Sequence, residues 1–202
     1  MGQITDVVKH LLLINIVAFI ATITLLPDSR FILAMYYPAS EYFSPYQVVT
    51  HMFMHADLGH LFFNMLTLFF LGPWVERRIG SRKFLIFYLA SGFGAAGLHL
   101  LVRYYLVSQL GYMDEINIPV LGASGAVYGV LAAFGTLFPN ARLMLLFPPI
   151  PIRASYLAIG LILFDLITGV SGTRTGVAHF AHVGGAITGF LLILYWIRSR
   201  SI

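Results

Sequence analysis

Polar side chains suited to acyl-transfer chemistry lie near the starts of three apolar stretches of this 202-residue chain. His60 and Asn64 open one stretch, Ser124 lies at the start of another, and His182 lies within the first two turns of a third. A serine hydroxyl is a poor nucleophile at neutral pH. A neutral imidazole within hydrogen-bond distance can take its proton during attack and return one to the leaving group. These residue types predict a nucleophile–base pair if the fold brings Ser124 and His182 together.

The composition indicates an integral membrane protein. Apolar residues make up 59% of the chain, charged residues only 10%, and the mean hydropathy is +0.86. Soluble domains are roughly 45–50% apolar and ~25% charged, so a soluble enzyme, a disordered chain and a nucleic-acid-binding domain are excluded. The net charge of +4 reflects few acidic residues rather than many basic ones. Cysteine is absent, which excludes disulfides, thiolate catalysis and Cys-ligated metals.

Six apolar stretches are predicted to be membrane helices, because a helix needs about 20 apolar residues to cross a bilayer. They cover residues 11–26, 58–75, 84–107, 122–138, 154–170 and 177–197. Breaks rich in proline, glycine or charge separate them, among them Pro27-Asp28, Pro148 to Pro151 and Ser171 to Arg174. The first stretch is expected to be a retained helix, since its end is a poor signal-peptide cleavage site. The sequence thus predicts an all-α polytopic membrane protein with a single six-helix domain over residues 1–202 and no further soluble domain.

The basic residues predict the orientation of these helices, because Lys and Arg mark the cytoplasmic side. With the N-terminus inside, the cytoplasmic segments hold nine of the 12 basic residues: Lys9, Arg77, Arg78, Arg82, Lys83, Arg142, Arg153, Arg198 and Arg200. The outer segments hold Arg30, Arg103 and Arg174. Six crossings then place both termini in the cytoplasm. The second, fourth and sixth helices run inward, so the polar residues at their starts share one depth just below the outer surface.

Residues 28–57 form a long outer loop that is rich in aromatic side chains. Tyr and Trp favour the headgroup layer, so we expect this loop to lie partly in the membrane interface.

Glycine spacing predicts how the fourth and sixth helices meet. Gly125 and Gly129 form a small-xxx-small stripe on the fourth helix, and Gly185 and Gly189 form a matching stripe on the sixth. Such stripes allow two membrane helices to approach closely. Packing through them would bring Ser124 near His182. The free N–H groups at the start of the fourth helix, with His60 and Asn64, could then stabilise an oxyanion.

At these residues the chain resembles the rhomboid family of intramembrane serine proteases. Gly122-Ala123-Ser124-Gly125 is similar to the family's GxSG motif, and Ala181-His182-Val183-Gly184-Gly185 is similar to its AHxxG motif. His55, His60 and Asn64 resemble the HxxxxHxxxN pattern at the second helix, and the segment from Gly72 to Gly80 resembles its cytoplasmic end. The likeness covers nearly the whole span from the first to the sixth helix.

The resemblance implies a serine endopeptidase with a Ser124–His182 dyad and an oxyanion site made by His60, Asn64 and the Ser124 amide. It further implies that Tyr128 stacks on His182. Gly122, Gly125 and His55 would support the site, and Glu76 and Arg78 would be structural. The substrates would be transmembrane helices of other proteins, unwound near small or helix-breaking residues.

The cellular location of the protein and the side to which its site opens follow from the same resemblance and from the chemistry of hydrolysis. The reaction needs water, so the site must open to the exterior or periplasmic side of the lipid bilayer. We expect a multi-pass protein of a prokaryotic cytoplasmic membrane, with no cofactor, no metal and no nucleic-acid partner. The sequence leaves the oligomeric state, the natural substrate and its cleavage motif open.

Asp165 is the one acidic residue inside a predicted span. As a third member of the site it would orient His182 through Nδ1. The family is understood to use only a serine and a histidine, without a third residue. The favoured role of Asp165 is therefore to bond a neighbouring helix or to face water near the mouth of the site. His179, one turn before His182, is expected to pack or to face the same water-filled mouth.

Three other functions are disfavoured by the same residues. A non-catalytic adaptor that binds client helices would typically lack one member of the serine–histidine pair, and both are present. A transporter or channel would need polar residues along a path across the bilayer, whereas these stop at one depth. A metal site on His51, His55 and His60 would lack an HExxH motif and has only Asp57 nearby as a carboxylate. For His51 and His55 the favoured role is an interfacial position with hydrogen bonds that fix the loop.

Overall fold

The computed structural model of the chain describes residues 3–26, 28–145, 148–173 and 175–202. Its six longer helices are α1 (Asp6–Thr24), α2 (Leu58–Ile79), α3 (Ser81–Ser108), α4 (Ser124–Leu137), α5 (Ala154–Val170) and α6 (His179–Arg198). Each coincides with one predicted stretch, so the predicted mostly helical fold is confirmed. Pro27 and Arg174, which belong to two of the predicted breaks, lie outside the described residues.

Four of these helices are long and apolar enough to cross a membrane. They are α1, α2, α3 and α6, with 19, 22, 28 and 20 residues. The helices α4 and α5 are also apolar but have only 14 and 17 residues. Length and composition therefore support four spans directly, and the count of six crossings stays a prediction.

The helix that carries Ser124 lies at the centre of the bundle. Most residues of α4 are buried, and α2, α3, α5 and α6 all pack against it. A helix that is apolar on every side is stable only where other helices cover it. Because α4 is held on all sides, the side chains at its first turn have a fixed position.

Glycines bring the backbones of α4 and α6 into contact. A Cβ atom added to Gly185 would lie 1.9 Å from the carbonyl oxygen of Gly125, and one added to Gly189 would lie 2.7 Å from the Cα of Gly129. There is thus no room for any side chain at these two positions of α6. The predicted glycine-mediated packing of the two helices is confirmed.

A buried carboxylate ties α1 to α2. Glu76 is only 2% exposed and accepts hydrogen bonds from the Thr5 hydroxyl (2.5 Å), the Ser81 hydroxyl (2.7 Å) and the backbone N–H groups of Val8 (3.0 Å) and Val7 (3.2 Å). It lies at the N-terminal end of α1, where free N–H groups and the helix dipole favour a negative charge. The structural role predicted for Glu76 has this physical basis.

The loop between α1 and α2 is folded around one buried glutamine. The side-chain nitrogen of Gln47 donates to the carbonyl oxygens of Tyr42 (2.8 Å) and Ile32 (3.0 Å), and its oxygen accepts from the backbone N–H groups of Ser44 (3.1 Å) and Tyr36 (3.3 Å). These bonds satisfy backbone groups that the short helical turns of the loop leave free. The loop is therefore an ordered part of the bundle.

The same loop is fastened to the segment that leads into α4. Met35 and Val120 form an isolated antiparallel bridge, and the N–H group of Gly122 donates to the carbonyl oxygen of His51 at 2.9 Å. The start of α4 is thus positioned by the outer loop as well as by the helices around it.

A small hairpin departs from the all-α prediction. Strand β1 (Arg142–Met144) pairs antiparallel with strand β2 (Pro151–Arg153), with Leu143 opposite Ile152. From the sequence, this region was predicted only to be a break between helices. Strands of three residues carry too short an alternation of apolar and polar residues to be recognised, and Pro151 is tolerated because it is the first residue of an edge strand.

The contact between α4 and α6 can be tested by adding one methyl group. We expect Gly185→Ala to lower the free energy of unfolding by roughly 1–3 kcal/mol, because its Cβ would overlap the Gly125 backbone. Gly97→Ala on α3 is the matched control, since no atom lies within 4 Å of the added Cβ. Thermal unfolding in detergent measures both effects. Equal melting temperatures for the two variants would contradict the close contact.

Candidate active site

Ser124 and His182 meet where α4 and α6 cross. Ser124 is the first residue of α4, His182 lies in the first turn of α6, and the Ser124 Oγ is 2.9 Å from the His182 Nε2. The neighbouring Gly125 is enclosed, since a Cβ there would lie 2.3 Å from the Ala95 Cβ and 3.6 Å from the Ala181 carbonyl oxygen. The glycine next to the serine thus lets α4 approach both α3 and α6.

The His182 ring is held on one face by an aromatic side chain. The rings of Tyr128 and His182 are stacked, with centroids 4.2 Å apart and planes inclined by 14°. Tyr128 follows Ser124 by one helical turn, so the same face of α4 presents both the hydroxyl and the stacking ring. The stacking that the resemblance implies is found in the structure.

A carboxylate on α5 contacts the other nitrogen of the same imidazole. The Asp165 Oδ1 lies 3.1 Å from the His182 Nδ1 and 2.5 Å from the His179 Nδ1. The side chain of Asp165 is 3% exposed, and that of His182 is 12% exposed. The prediction that Asp165 bonds a neighbouring helix is confirmed, and the structure adds the contact with His182 that the sequence analysis disfavoured.

His179 is buried and hydrogen-bonded on both ring nitrogens. Its Nε2 lies 2.7 Å from the Thr175 hydroxyl, and its Nδ1 contacts Asp165. It therefore belongs to the polar network, and the alternative of facing a water-filled mouth is wrong for this conformation. The signal in the sequence was the i,i+3 spacing of two histidines at the start of a helix, but nothing in it identified α5 as the source of their partner.

His60 points a ring nitrogen toward Ser124 across Gly122. A Cβ at Gly122 would lie 2.8 Å from the His60 Nε2 and 3.5 Å from the Ser124 Oγ, and the φ of +133° at this glycine disfavours any other residue. The His60 Nδ1 is 3.4 Å from the backbone nitrogen of Ala56, which donates to it. The neutral ring therefore carries its proton on Nε2, the nitrogen that faces the gap.

Asn64 lies one turn below His60 and is 6% exposed. Its side-chain nitrogen donates to the His60 carbonyl oxygen at 2.9 Å. Among the described residues, no hydrogen bond joins Asn64 to Ser124 or His182. An amide nitrogen has two N–H groups, so one remains to donate to a reacting group.

The two histidines before α2 differ in their contacts. The His51 Nδ1 is 2.8 Å from the Gln47 carbonyl oxygen, in agreement with the predicted hydrogen bonds that fix the loop. His55 is fully buried, and neither of its ring nitrogens has a hydrogen-bond partner of good geometry among the described residues, so its supporting role stays a prediction. Its ring instead packs edge-on against His60, with centroids 5.1 Å apart. No three His, Asp or Glu side chains within the described ranges are placed to share a metal ion.

Burial keeps both of these histidines neutral. It lowers the pKa of His55 from 6.5 to about 4, with a further contribution from His60, and it also lowers the pKa of His51. A neutral His55 can pack tightly against the His60 ring without charge repulsion.

The fold and the site together define a class of protein: an apolar helical bundle in which a serine hydroxyl meets an imidazole beside N–H donors. Such an arrangement can carry out acyl transfer. A family model described as the rhomboid domain matches residues 42–199. The chain therefore belongs to the rhomboid family.

Individual relatives agree with this assignment. Rhomboid protease AarA of Providencia stuartii is 34% identical over 156 residues, which cover 72% of this chain and 54% of AarA. The mitochondrial RHOMBOID-like protein 12 of Arabidopsis thaliana is 33% identical over 159 residues, covering 76% and 46% of the two chains. The putative rhomboid protease YdcA of Bacillus subtilis is 28% identical over 158 residues, covering 77% and 69%. The matched part thus spans about half the length of the first two relatives.

The burial of His55 predicts a pH-dependent stability. Below pH 6.5 the unfolded chain binds a proton at His55, whereas the folded chain does not until the pH reaches about 4. The contribution of His55 to the free energy of unfolding should therefore fall by up to about 3 kcal/mol as the pH drops through this window, at ~1.4 kcal/mol per pH unit. Denaturant unfolding in detergent between pH 7 and pH 4 measures the change.

His55→Gln should remove the part of this pH dependence that His55 contributes, whatever it does to stability at pH 7, while other buried histidines such as His51 keep their own part of it. His10→Gln alters an exposed histidine at the start of α1 and serves as the control. An unaltered pH slope in His55→Gln would refute the assignment of the proton to His55.

Proposed function

We propose that this protein is an intramembrane serine endopeptidase that cleaves transmembrane helices of other membrane proteins near the outer face of the bilayer. The observation that carries the proposal is the 2.9 Å contact between the Ser124 Oγ and the His182 Nε2. Membership of the rhomboid family supports it, and so does the similarity to the rhomboid protease AarA and to the putative rhomboid protease YdcA.

The reaction follows from the geometry of the pair. His182 Nε2 takes the proton from the Ser124 hydroxyl while Oγ attacks the carbonyl carbon of the peptide bond. The tetrahedral intermediate collapses when the imidazolium gives that proton to the leaving amine, and an acyl-enzyme on Ser124 remains. Water then attacks the ester with His182 again as the base, which releases the carboxylic acid and restores the hydroxyl.

The oxyanion of each tetrahedral intermediate needs N–H donors that are already in position. The Ser124 amide lies at the N-terminus of α4, where backbone N–H groups have no intrahelical partner. The Nε2–H of His60 faces the gap at Gly122, and the free N–H of Asn64 is the third donor. Gly122 leaves this gap open, because a Cβ would fill it.

The membrane arrangement that fits this chemistry has six crossings within a single domain over residues 1–202. Both termini lie in the cytoplasm, as the nine-to-three distribution of basic residues indicates. The first turns of α4 and α6 then lie just below the outer surface, where water can reach them. A prokaryotic cytoplasmic membrane fits the bacterial relatives, while mitochondrial relatives occur in the same family.

The dyad is tested by removing each member separately. Ser124→Ala and His182→Ala should each abolish cleavage of a fluorescently tagged single-span membrane protein in liposomes, because the nucleophile or its base is lost. A fluorophosphonate should label the unaltered protein and not Ser124→Ala. Thr24→Val, at the exposed end of α1, is the control and should cleave normally. Full activity in either alanine variant would refute the proposal.

The oxyanion donors should contribute less individually than the dyad. His60→Ala and Asn64→Ala are each expected to reduce the kcat roughly 10- to 10³-fold, because the remaining donors still stabilise part of the charge. Steady-state cleavage kinetics in detergent measure the loss. If both variants retained the unaltered kcat, the oxyanion would have to be stabilised elsewhere.

A further inference from the structure

We propose that Asp165 is a positioning residue for His182, fixing the imidazole so that Nε2 is free to accept the Ser124 proton. The inference rests on the proposed function. It extends the dyad by one residue on α5, and its starting point is the 3.1 Å contact between the Asp165 Oδ1 and the His182 Nδ1.

The location of Asp165 shows that its carboxylate is directed at α6. The buried residues of α5 are Ala154, Ala158 and Asp165, which follow one narrow stripe of the helix. The other faces of α5 carry exposed apolar side chains such as Phe164 and Ile167. A carboxylate in such a helix is costly, so it persists where partners compensate for its charge.

One arrangement of protons gives every histidine ring nitrogen in the network a partner, while the Asp165 Oδ2 has no hydrogen-bond partner among the described residues. If the Thr175 hydroxyl donates to the His179 Nε2, then His179 carries its proton on Nδ1 and donates it to Asp165. His182 donates from Nδ1 to the same oxygen, which leaves its Nε2 as the acceptor for Ser124. Every donor then meets an acceptor, and His182 is in the tautomer that a general base requires.

The charge of Asp165 acts when the reaction begins. Once His182 has taken the serine proton, it is an imidazolium beside an ionised carboxylate, and both side chains are largely buried. The attraction between the two lowers the energy of this charged state, and the carboxylate itself keeps its charge throughout. Tyr128 of α4 stacks on the His182 ring, so α4, α5 and α6 all contribute to the position of the ring.

The rival explanation is that Asp165 only fastens α5 to α6 through its shorter bond with His179. The two roles predict different kinetics. A positioning residue changes the rate of the chemical step per folded molecule, whereas a fastening residue changes the amount of folded protein.

Asp165→Asn keeps the size of the side chain and removes its charge. We expect the kcat per folded molecule to fall roughly 10²- to 10⁴-fold. The KM for the tagged single-span substrate should change less than about threefold, because its binding is untouched. His179→Gln removes the other histidine and leaves the His182 contact, so its kcat should fall less than about tenfold. Circular dichroism and size-exclusion chromatography measure the folded fraction of each variant.

An unaltered kcat in Asp165→Asn would overturn the inference, as would equal losses of kcat in Asp165→Asn and His179→Gln. Absence of Ser124-dependent cleavage by the unaltered protein is a different result, because it would overturn the proposed function and this inference with it.

A direct measurement on the unaltered protein keeps the test decisive if Asp165→Asn fails to fold. Nitrogen NMR of protein labelled with ¹⁵N-histidine reports which ring nitrogen carries the proton. The His182 signal is the one that disappears in His182→Gln. A proton on Nδ1 supports the proposal, and a neutral ring with its proton on Nε2 would overturn it.

Discussion

The backbone of α6 touches the backbone of α4, and the distance between Ser124 and His182 depends on that contact. At Gly185 an added Cβ would lie 1.9 Å from the Gly125 oxygen, whereas ordinary contacts begin near 3.4 Å. Any side chain there would push the helices apart by roughly 1.5 Å. A hydrogen bond of 2.9 Å would then exceed 4 Å and would be lost. The glycines therefore control the chemistry although they take no part in it.

Buried carboxylates connect this bundle at both of its ends. Glu76 accepts four hydrogen bonds, two of them from the first turn of α1, and Asp165 accepts from two histidines of α6. In an apolar surrounding such a charge is tolerable only where hydrogen-bond donors compensate for it. Each carboxylate consequently fixes one helix against its neighbour, in a structure where apolar packing alone provides little directional preference.

The sequence predicted the parts that depend on local pattern and failed where contacts join distant segments. The helices followed from apolar length, and the approach of Ser124 to His182 followed from glycine spacing and from polar residues at one depth. The partner of His179 could not be predicted from the sequence, because the rotation of α5 about its own axis decides whether Asp165 faces α6 or lipid. The packing of the His55 ring against His60 was also missed, since the spacing of histidines carries no information about which ring nitrogens find acceptors.

The charge on Asp165 is harder to explain by stability than by chemistry. An asparagine could accept the same hydrogen bonds from His179 and His182 without the cost of burying an ion. A carboxylate offers one further property, which is attraction to an imidazolium. In the resting enzyme both histidines are neutral, so the carboxylate has no imidazolium to attract. The stabilisation that uses that attraction therefore needs a protonated ring. A state in which His182 has just taken a proton provides one, and such a state exists in this bundle only during the reaction at Ser124.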